Sequence, residues 1–400
     1  MPEDRRWWAL AALVPGVLTI GFDLTILNVA LPTIARELSV GTDALQWIVN
    51  SYVLVFAGLL LPAGVLGDRY GRKRLLLIAL GLFGAVSVIA AVADSSGLVI
   101  AARAVMGLGA AAILPITLAV LTVLFPEKRE RGKAIAVIVT AVGVGFPLGP
   151  IIGGYLLEHF WWGSIFLINV PMAALAMIAI AVLLPASRDP APPRLDVPGG
   201  VLSTAGLVIF VYAVIDAPER GWEAPLVLGG LAAGMALLAA FVSWELRARQ
   251  PLIDLRLFGR PSFLWGTVAT AVAGFAIFGL FFTLPQYLQF VAGHEALATG
   301  LRLLPMIGGL VVGAGLGERL AARVGHRAPV ALGLLLIAAG LAAGATTQVT
   351  SGYGFVAAWL ALAGVGLGAS LAVATDAVLG ALPPERSGGG IALTCALRQA

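Results

Sequence analysis

The sequence predicts an all-α polytopic membrane protein: two pseudo-symmetric six-helix bundles with two extra helices between them, the second bundle incomplete. Three observations carry its helical, membrane-spanning character. Hydrophobic residues make up 60% of the 400 residues and charged residues only 12%, whereas a soluble domain carries about a quarter charged residues. The apolar residues fall in continuous runs of about 20, the length that crosses a bilayer as helix, and these runs are rich in Leu, Ala and Gly rather than alternating as barrel strands do. The basic residues gather in every second connection between runs, which sets a topology.

In chain order the expected spans are roughly 9–31, 46–66, 75–93, 97–124, 133–156, 163–184, 199–215, 224–244, 262–289, 298–317, 329–347 and 353–381. A thirteenth begins near Ser387 and is still running at Ala400. Arg5 and Arg6 precede the first span. Further basic residues sit in the connections around Arg69–Arg74, Lys128–Lys133, Arg188–Arg194, Arg247–Arg260 and Arg319–Arg327, and at Arg386. Only Arg36 and Arg220 fall in the intervening loops, so the N-terminus is expected in the cytoplasm. The first run is too long for a cleavable signal peptide, and Arg5 and Arg6 anchor its inner end.

These runs divide the chain into domains. Residues 1–185 form the N-terminal six-helix bundle. Residues 186–198 form a cytoplasmic linker, where Pro190, Pro192, Pro193 and Pro198 forbid a continuous helix. Residues 199–245 carry the two extra spans, 246–261 a second cytoplasmic connection, and 262–400 the C-terminal bundle, cut in its fifth helix. A faint repeat supports two halves: Gly67-Asp68-Arg69 and Gly71-Arg72-Lys73 are echoed by Gly317-Glu318-Arg319 and Gly325-His326-Arg327. Both copies fall on the cytoplasmic side, as parallel repeats require.

Composition also excludes functions. The single Cys395 rules out a disulfide framework or cysteine cluster. His159, His294 and His326 are scattered near span ends, so no metal or cofactor is expected. The net charge of +4 comes from loop residues that report topology, not a nucleic-acid surface. A cluster of acids and histidines that could make a membrane enzyme is not visible. The Ala-, Gly-, Val- and Arg-rich composition fits a GC-rich bacterial genome and hence a bacterial inner (plasma) membrane.

The chemistry rests on few residues. Asp23 places a carboxylate inside the first span, where an ionisable group is a functional candidate by default. A carboxyl poised between low dielectric, which favours its proton, and a nearby cation, which expels it, can load and release that proton. Arg103 in the fourth span supplies the cation. At helical rise, Asp23 lies ~12 Å and Arg103 ~9 Å below the same face, so they can pair. A permanent structural ion pair remains the alternative. Gly145, Gly149 and Gly153 recur at i, i+4 and i+8 beside Gly154, Pro147 and Pro150, a smooth, bent ridge suited to close helix packing and to a pivot. Gly64, Gly67, Asp68, Arg69, Gly71, Arg72 and Lys73 form a tight charged cytoplasmic loop. Asn28, Trp47, Asn50, Tyr52, Phe146, Phe278, Gln286, Tyr287 and Gln289 are candidate cavity residues, the amides above all because lipid offers them no partner. Asp376 is a second proton or cation site or a solvated residue near the inner mouth, and Arg302 carries the same two readings.

These stretches resemble the major facilitator superfamily, specifically its fourteen-helix drug:proton antiporter branch. Gly64–Arg74 resembles its loop motif, Arg103-Ala-Val-Met-Gly107-Leu-Gly109 its fourth-helix motif, and Gly145–Gly154 its antiporter motif. Asp23-Leu-Thr-Ile-Leu-Asn28-Val-Ala-Leu-Pro32 is similar to the branch's first-helix signature. Trp161-Trp162 with Phe166-Leu-Ile-Asn169-Val-Pro171, Leu252–Phe258, Leu284–Gln289 and Gly300–Pro305 continue the match along the chain. The resemblance implies a monomeric exporter of hydrophobic drugs or antibiotics that exchanges them for protons across the lipid bilayer. Asp23 and Arg103 would be its coupling pair, with Asp68 meeting the helix end near Ser387 when the cytoplasmic mouth closes. It also implies a completed thirteenth and a fourteenth helix, roughly 80–100 further residues, so the chain reads as a fragment. A proton-coupled uptake symporter on the same fold is the alternative function.

Overall fold

Each apolar run becomes a helix, because only a helix or a closed barrel satisfies the backbone where water is absent. The computed structural model describes residues 3–185, 187, 196–248, 255–348 and 350–380, among which there is no strand. The helices are α1 (Glu3–Glu37), α2 (Thr42–Tyr70), α3 (Arg72–Ala91), α4 (Ser96–Leu124), α5 (Lys128–His159), α6 (Ser164–Leu167) and α7 (Asn169–Leu183). There follow α8 (Val197–Arg220), α9 (Pro225–Glu245), α10 (Pro261–Gln286), α11 (Ala296–Arg302), α12 (Leu304–Val324), α13 (Arg327–Ala345) and α14 (Tyr353–Gly380). Among the described residues, 12 stretches are long and apolar enough to cross a membrane, one for each expected span. The expected thirteenth span lies outside the described residues.

Differences lie at the ends and in three breaks. The sixth span is split into α6 and α7 by Ile168, with Pro171 in the first turn of α7, where a missing N–H costs nothing. The tenth is split into α11 and α12 just before Pro305 for the same reason. The ninth ends in a π-helical turn, Tyr287–Val291. The charged loop expected at Gly64–Arg74 shrinks to one residue. Helix α2 runs through Asp68 and Arg69 to Tyr70, and Gly71, at φ +103°, turns the chain directly into α3. A residue with a Cβ would be strained there.

The described chain forms two compact units. The first holds the chain up to Asp23, Ile34–Gly145 and Gly163–Leu255; the second holds Leu24–Thr33, Phe146–Trp162 and the chain from Arg256. Thus α1 and α5 contribute to both.

Within the first unit small residues let backbones close up. A Cβ on Gly109 would lie 3.0 Å from the Ala79 carbonyl of α3, and one on Gly84 would lie 3.3 Å from Ala173 of α7. Helix α8 lies along α2, where Thr204 Oγ1 donates to the Gly58 carbonyl at 3.2 Å and the rings of Trp47 and Tyr212 sit 5.6 Å apart. Helix α9 packs on α8 through Gly230 and Gly234, whose absent Cβ atoms make room for Ala213 and Phe210.

Within the second unit, α12 and α14 interlock through Gly309, Gly313 and Gly317 on one side and Gly364 and Gly368 on the other. Helix α13 joins through Gly333 and Gly340. Here the faint repeat gains a physical basis. Gly67 of α2 faces Ile116 of α4, and its echo Gly317 of α12 faces Ala369 of α14. Gly71 and Gly325 both cap their helices with positive φ, +103° and +81°.

Candidate functional site

Asp23 and Arg103 meet. The guanidinium Nη1 lies 2.5 Å from Asp23 Oδ2, and the two side chains are only 1% and 2% exposed. Helix α4 delivers Arg103 through its own packing. One turn further on, a Cβ at Gly107 would strike the Tyr52 backbone, so α2 and α4 are close here, and residues four apart share a face. That approach puts Arg103 Nε 3.2 Å from the Ile48 carbonyl and its guanidinium carbon 4.2 Å above the Tyr52 ring. A charged group so buried survives only when its donors are occupied. Arg103 has a carboxylate, a carbonyl and an aromatic face.

The other oxygen of Asp23 is also held. Asn169 Nδ2 donates to Oδ1 at 3.2 Å from the start of α7, and Asn169 itself is fully buried. In the sequence, Asn169 stands within the Phe166–Pro171 stretch with no role assigned to it. The same argument that singled out Asn50 and Gln289, an amide with no partner in lipid, applies to it equally. Tyr52, proposed as a cavity residue, is buried against Arg103 in this cluster.

Helix α5 brings its glycine ridge to α1. A Cβ on Gly145 would lie 2.8 Å from Gly21 C and Phe22 N, and one on Gly153 would lie 2.6 Å from Ile26. Gly149 and Pro150 are buried on the same helix. Gly154 faces α11, where a Cβ would lie 2.5 Å from Leu297 Cα, and Gly300 of α11 packs on the Pro150 backbone. Glu158, one turn beyond Gly154, accepts the Leu297 N–H at 3.0 Å.

The remaining candidates divide between the units. In the first, Asn50 is half-buried. Asp68 pairs with Arg72 at 2.7 Å across the Gly71 turn, and Lys73 Nζ donates to the Ala181 carbonyl at 2.7 Å. Arg69 lies 5.8 Å from the Tyr70 ring, while Gly64 packs near Pro115. Ser387, the expected partner of Asp68, lies outside the described residues. In the second unit, Asn28 and Gln286 donate to carbonyls of their own helices, at Leu24 and Phe282. Tyr287 donates to Gln348, and Gln289 Nε2 reaches the Val29 carbonyl at 2.8 Å. Phe146 meets Phe281 edge-on at 6.3 Å, and Phe278 packs on the hydrophobic cluster there.

Asp376 is 75% exposed and 3.8 Å from His326, on the lining of a cavity of about 1050 Å³ with Trp265 and Arg327. Arg302 lies 5.1 Å over the Tyr353 ring, and Tyr353 donates to its carbonyl at 3.3 Å. Burial, assisted by the Arg302 cation, holds His294 in the neighbouring loop below the ordinary histidine range.

A buried carboxylate–guanidinium pair joining two spans, a glycine ridge packed on a neighbouring helix and two echoing halves are parts of a carrier. The family comparison decides which: residues 13–399 match the Major Facilitator Superfamily. The chain belongs to the major facilitator superfamily. This facilitator is 35% identical over 387 residues to the tetracenomycin C resistance and export protein of Streptomyces glaucescens, covering 96% of its own length and 72% of the relative's. It is also 35% identical to the multidrug efflux pump LfrA of Mycolicibacterium smegmatis, covering 98% and 77% of the two chains. The facilitator fold is shared with a peptide transporter, POT, in complex with sulfate, at a TM-score of 0.71, 16% identity and coverage of 98% and 86%. A bacterial homologue of the lysosomal transporter Spinster gives 0.66, 18%, and 100% and 80%.

Proposed function

We propose that this facilitator exports hydrophobic drugs or antibiotics from a bacterial cell by drug:proton antiport through alternating access. It would do so as a monomer of the fourteen-helix branch, in the plasma membrane with its N-terminus in the cytoplasm. The observation that carries the reading is the Asp23–Arg103 pair, fully buried within the spans. Holding an ion pair where apolar packing would serve stability as well or better points to use rather than support. The resistance and export activities named for its relatives supply the substrate class. Asp376 is a second candidate for the proton path, Gly145–Gly154 for the pivot, and Asp68 beside the Gly71 turn for the cytoplasmic gate. Asn28, Asn50, Tyr52, Gln286, Tyr287 and Gln289 are the candidates for contact with substrate.

The energetics suffice. One proton entering down ~150 mV supplies ~3.5 kcal/mol, enough for a gradient of a few hundredfold. Protonating Asp23 would weaken its hold on Arg103, and the freed cation is the trigger by which proton binding biases one conformation.

The test uses inside-out vesicles with an acidified lumen. Adding a hydrophobic antibiotic is expected to alkalinise the lumen as protons leave and drug enters. Asp23→Asn is expected to reduce that signal to background at unchanged protein level. Acid-stimulated uptake of the compound into intact cells would instead establish a symporter, and an intact signal in Asp23→Asn would remove Asp23 from the coupling path.

A further inference from the structure

We propose that Asn169 is the positioning residue that holds Asp23 in both of its protonation states: its amide NH₂ donates to the carboxylate, and the same amide, turned over, accepts the proton of the carboxylic acid. The inference rests on the reading that Asp23 carries the coupling proton. It goes beyond it by assigning the group that receives that proton's hydrogen bond.

Donors and acceptors in the buried cluster are out of balance. Asp23 Oδ2 is occupied by Arg103, and Oδ1 by Asn169 Nδ2. Arg103 only donates, so a proton arriving on Asp23 settles on Oδ1, away from the guanidinium. There it meets Nδ2, also a donor, and two donors cannot share a hydrogen bond. Asn169 Oδ1 resolves the conflict. It is fully buried and has no hydrogen-bond partner in the charged arrangement, a state that buried acceptors rarely tolerate without a reason. A half-turn about the terminal torsion, which is soft in asparagine, brings this free acceptor to the acid's O–H and withdraws the donor.

Of the two groups hydrogen-bonded to Asp23, only Asn169 can do both. The titratable and charged groups facing Asp23 are Arg103 from α4 and Tyr52 from α2, whose ring lies over Arg103. Helix α5 meets α1 at this level through Val142 and Gly145, which carry no ionisable group. Helix α7 offers Asn169. Leucine or alanine there would serve neither state, and a lysine only one.

The experiment is infrared difference spectroscopy of the full chain in proteoliposomes, titrated with pH. The Asp23 band is assigned by its loss in Asp23→Asn. An acid whose O–H is hydrogen-bonded absorbs at lower frequency than a free one. Asn169→Leu is therefore expected to raise the frequency of the protonated Asp23 carbonyl. It should also move the titration midpoint to higher pH by up to about one unit, a tenfold tighter hold on the proton, because the bond lost to the charged form is the stronger of the two. Asn169→Gln, which keeps the amide, should bring both values back toward the original. If Asn169→Leu does not fold, Asn169→Ala gives the same reading. In the unsubstituted chain, the ¹³C-labelled asparagine side-chain carbonyl should shift as Asp23 protonates. A band and midpoint that ignore the Asn169 substitutions, or that move with Tyr52→Phe instead, overturn the inference alone. Absence of any titrating Asp23 band overturns the coupling role of Asp23 and the inference together.

Discussion

A guanidinium that is 2% exposed and a carboxylate that is 1% exposed make stability and function separable by mutation. Removing one partner strands the other charge, at a cost of about 3–5 kcal/mol, whereas replacing both with apolar side chains is often neutral or stabilising. Arg103→Leu alone is therefore expected to lower the melting temperature strongly. The double variant Asp23→Leu/Arg103→Leu should recover most of that loss while remaining inactive in proton exchange. Thermal melting and the vesicle assay, run side by side, check this. A double variant as unstable as the single one would mean that the pair itself holds the bundle together. The pairing was legible in the sequence because depth along a helix is simple arithmetic. The role of Tyr52 was not, since which face of α2 meets α4 is set by the close approach at Gly107, a fact about two helices rather than one.

Helices α1 and α5 touch backbone to backbone, and this gives glycine substitutions a graded expectation. A Cβ at Gly145 would lie 2.8 Å from main-chain atoms of Gly21 and Phe22, which have no rotamer to yield, whereas one at Gly143 meets nothing within 4 Å. Gly145→Val should abolish transport or destabilise the protein by a few kcal/mol, as overpacking does, while Gly143→Val should be tolerated. Equal effects at the two positions, measured by melting and transport, would contradict the packing described. The existence and order of the 12 spans could be read because each is a long continuous apolar run. Their ends could not. Charged residues continue α2 as far as Tyr70, and prolines at positions 171 and 305 break spans that hydropathy reads as single.

Along the whole chain, connections rich in Lys and Arg alternate with connections poor in them, so the orientation can be tested without reference to substrate. With Cys395→Ser as background, Thr42→Cys at the start of α2 should react with a membrane-impermeant thiol reagent added outside the cell. Glu127→Cys, before α5, should react only in inside-out vesicles. The reverse pattern would invert the topology. The division into two units, with α1 and α5 serving both, was not legible in advance. Proline-rich connections mark boundaries along the chain, but shared helices leave no compositional trace.

The turn at Gly71 has a mechanical consequence. It joins helices of 29 and 20 residues with one residue between them, so the joint has no slack and neither helix can slide along the other. At 1.5 Å per residue the arms are ~44 and ~30 Å long. Each degree of tilt at the joint therefore carries the far end of α2 through ~0.8 Å and that of α3 through ~0.5 Å, by the same helical rise. With Asp68 bound to Arg72 on either side of the turn and Lys73 fastened to the Ala181 carbonyl, the joint is a braced fulcrum. A few ångströms of travel at one membrane face need only a few degrees of rotation at the other.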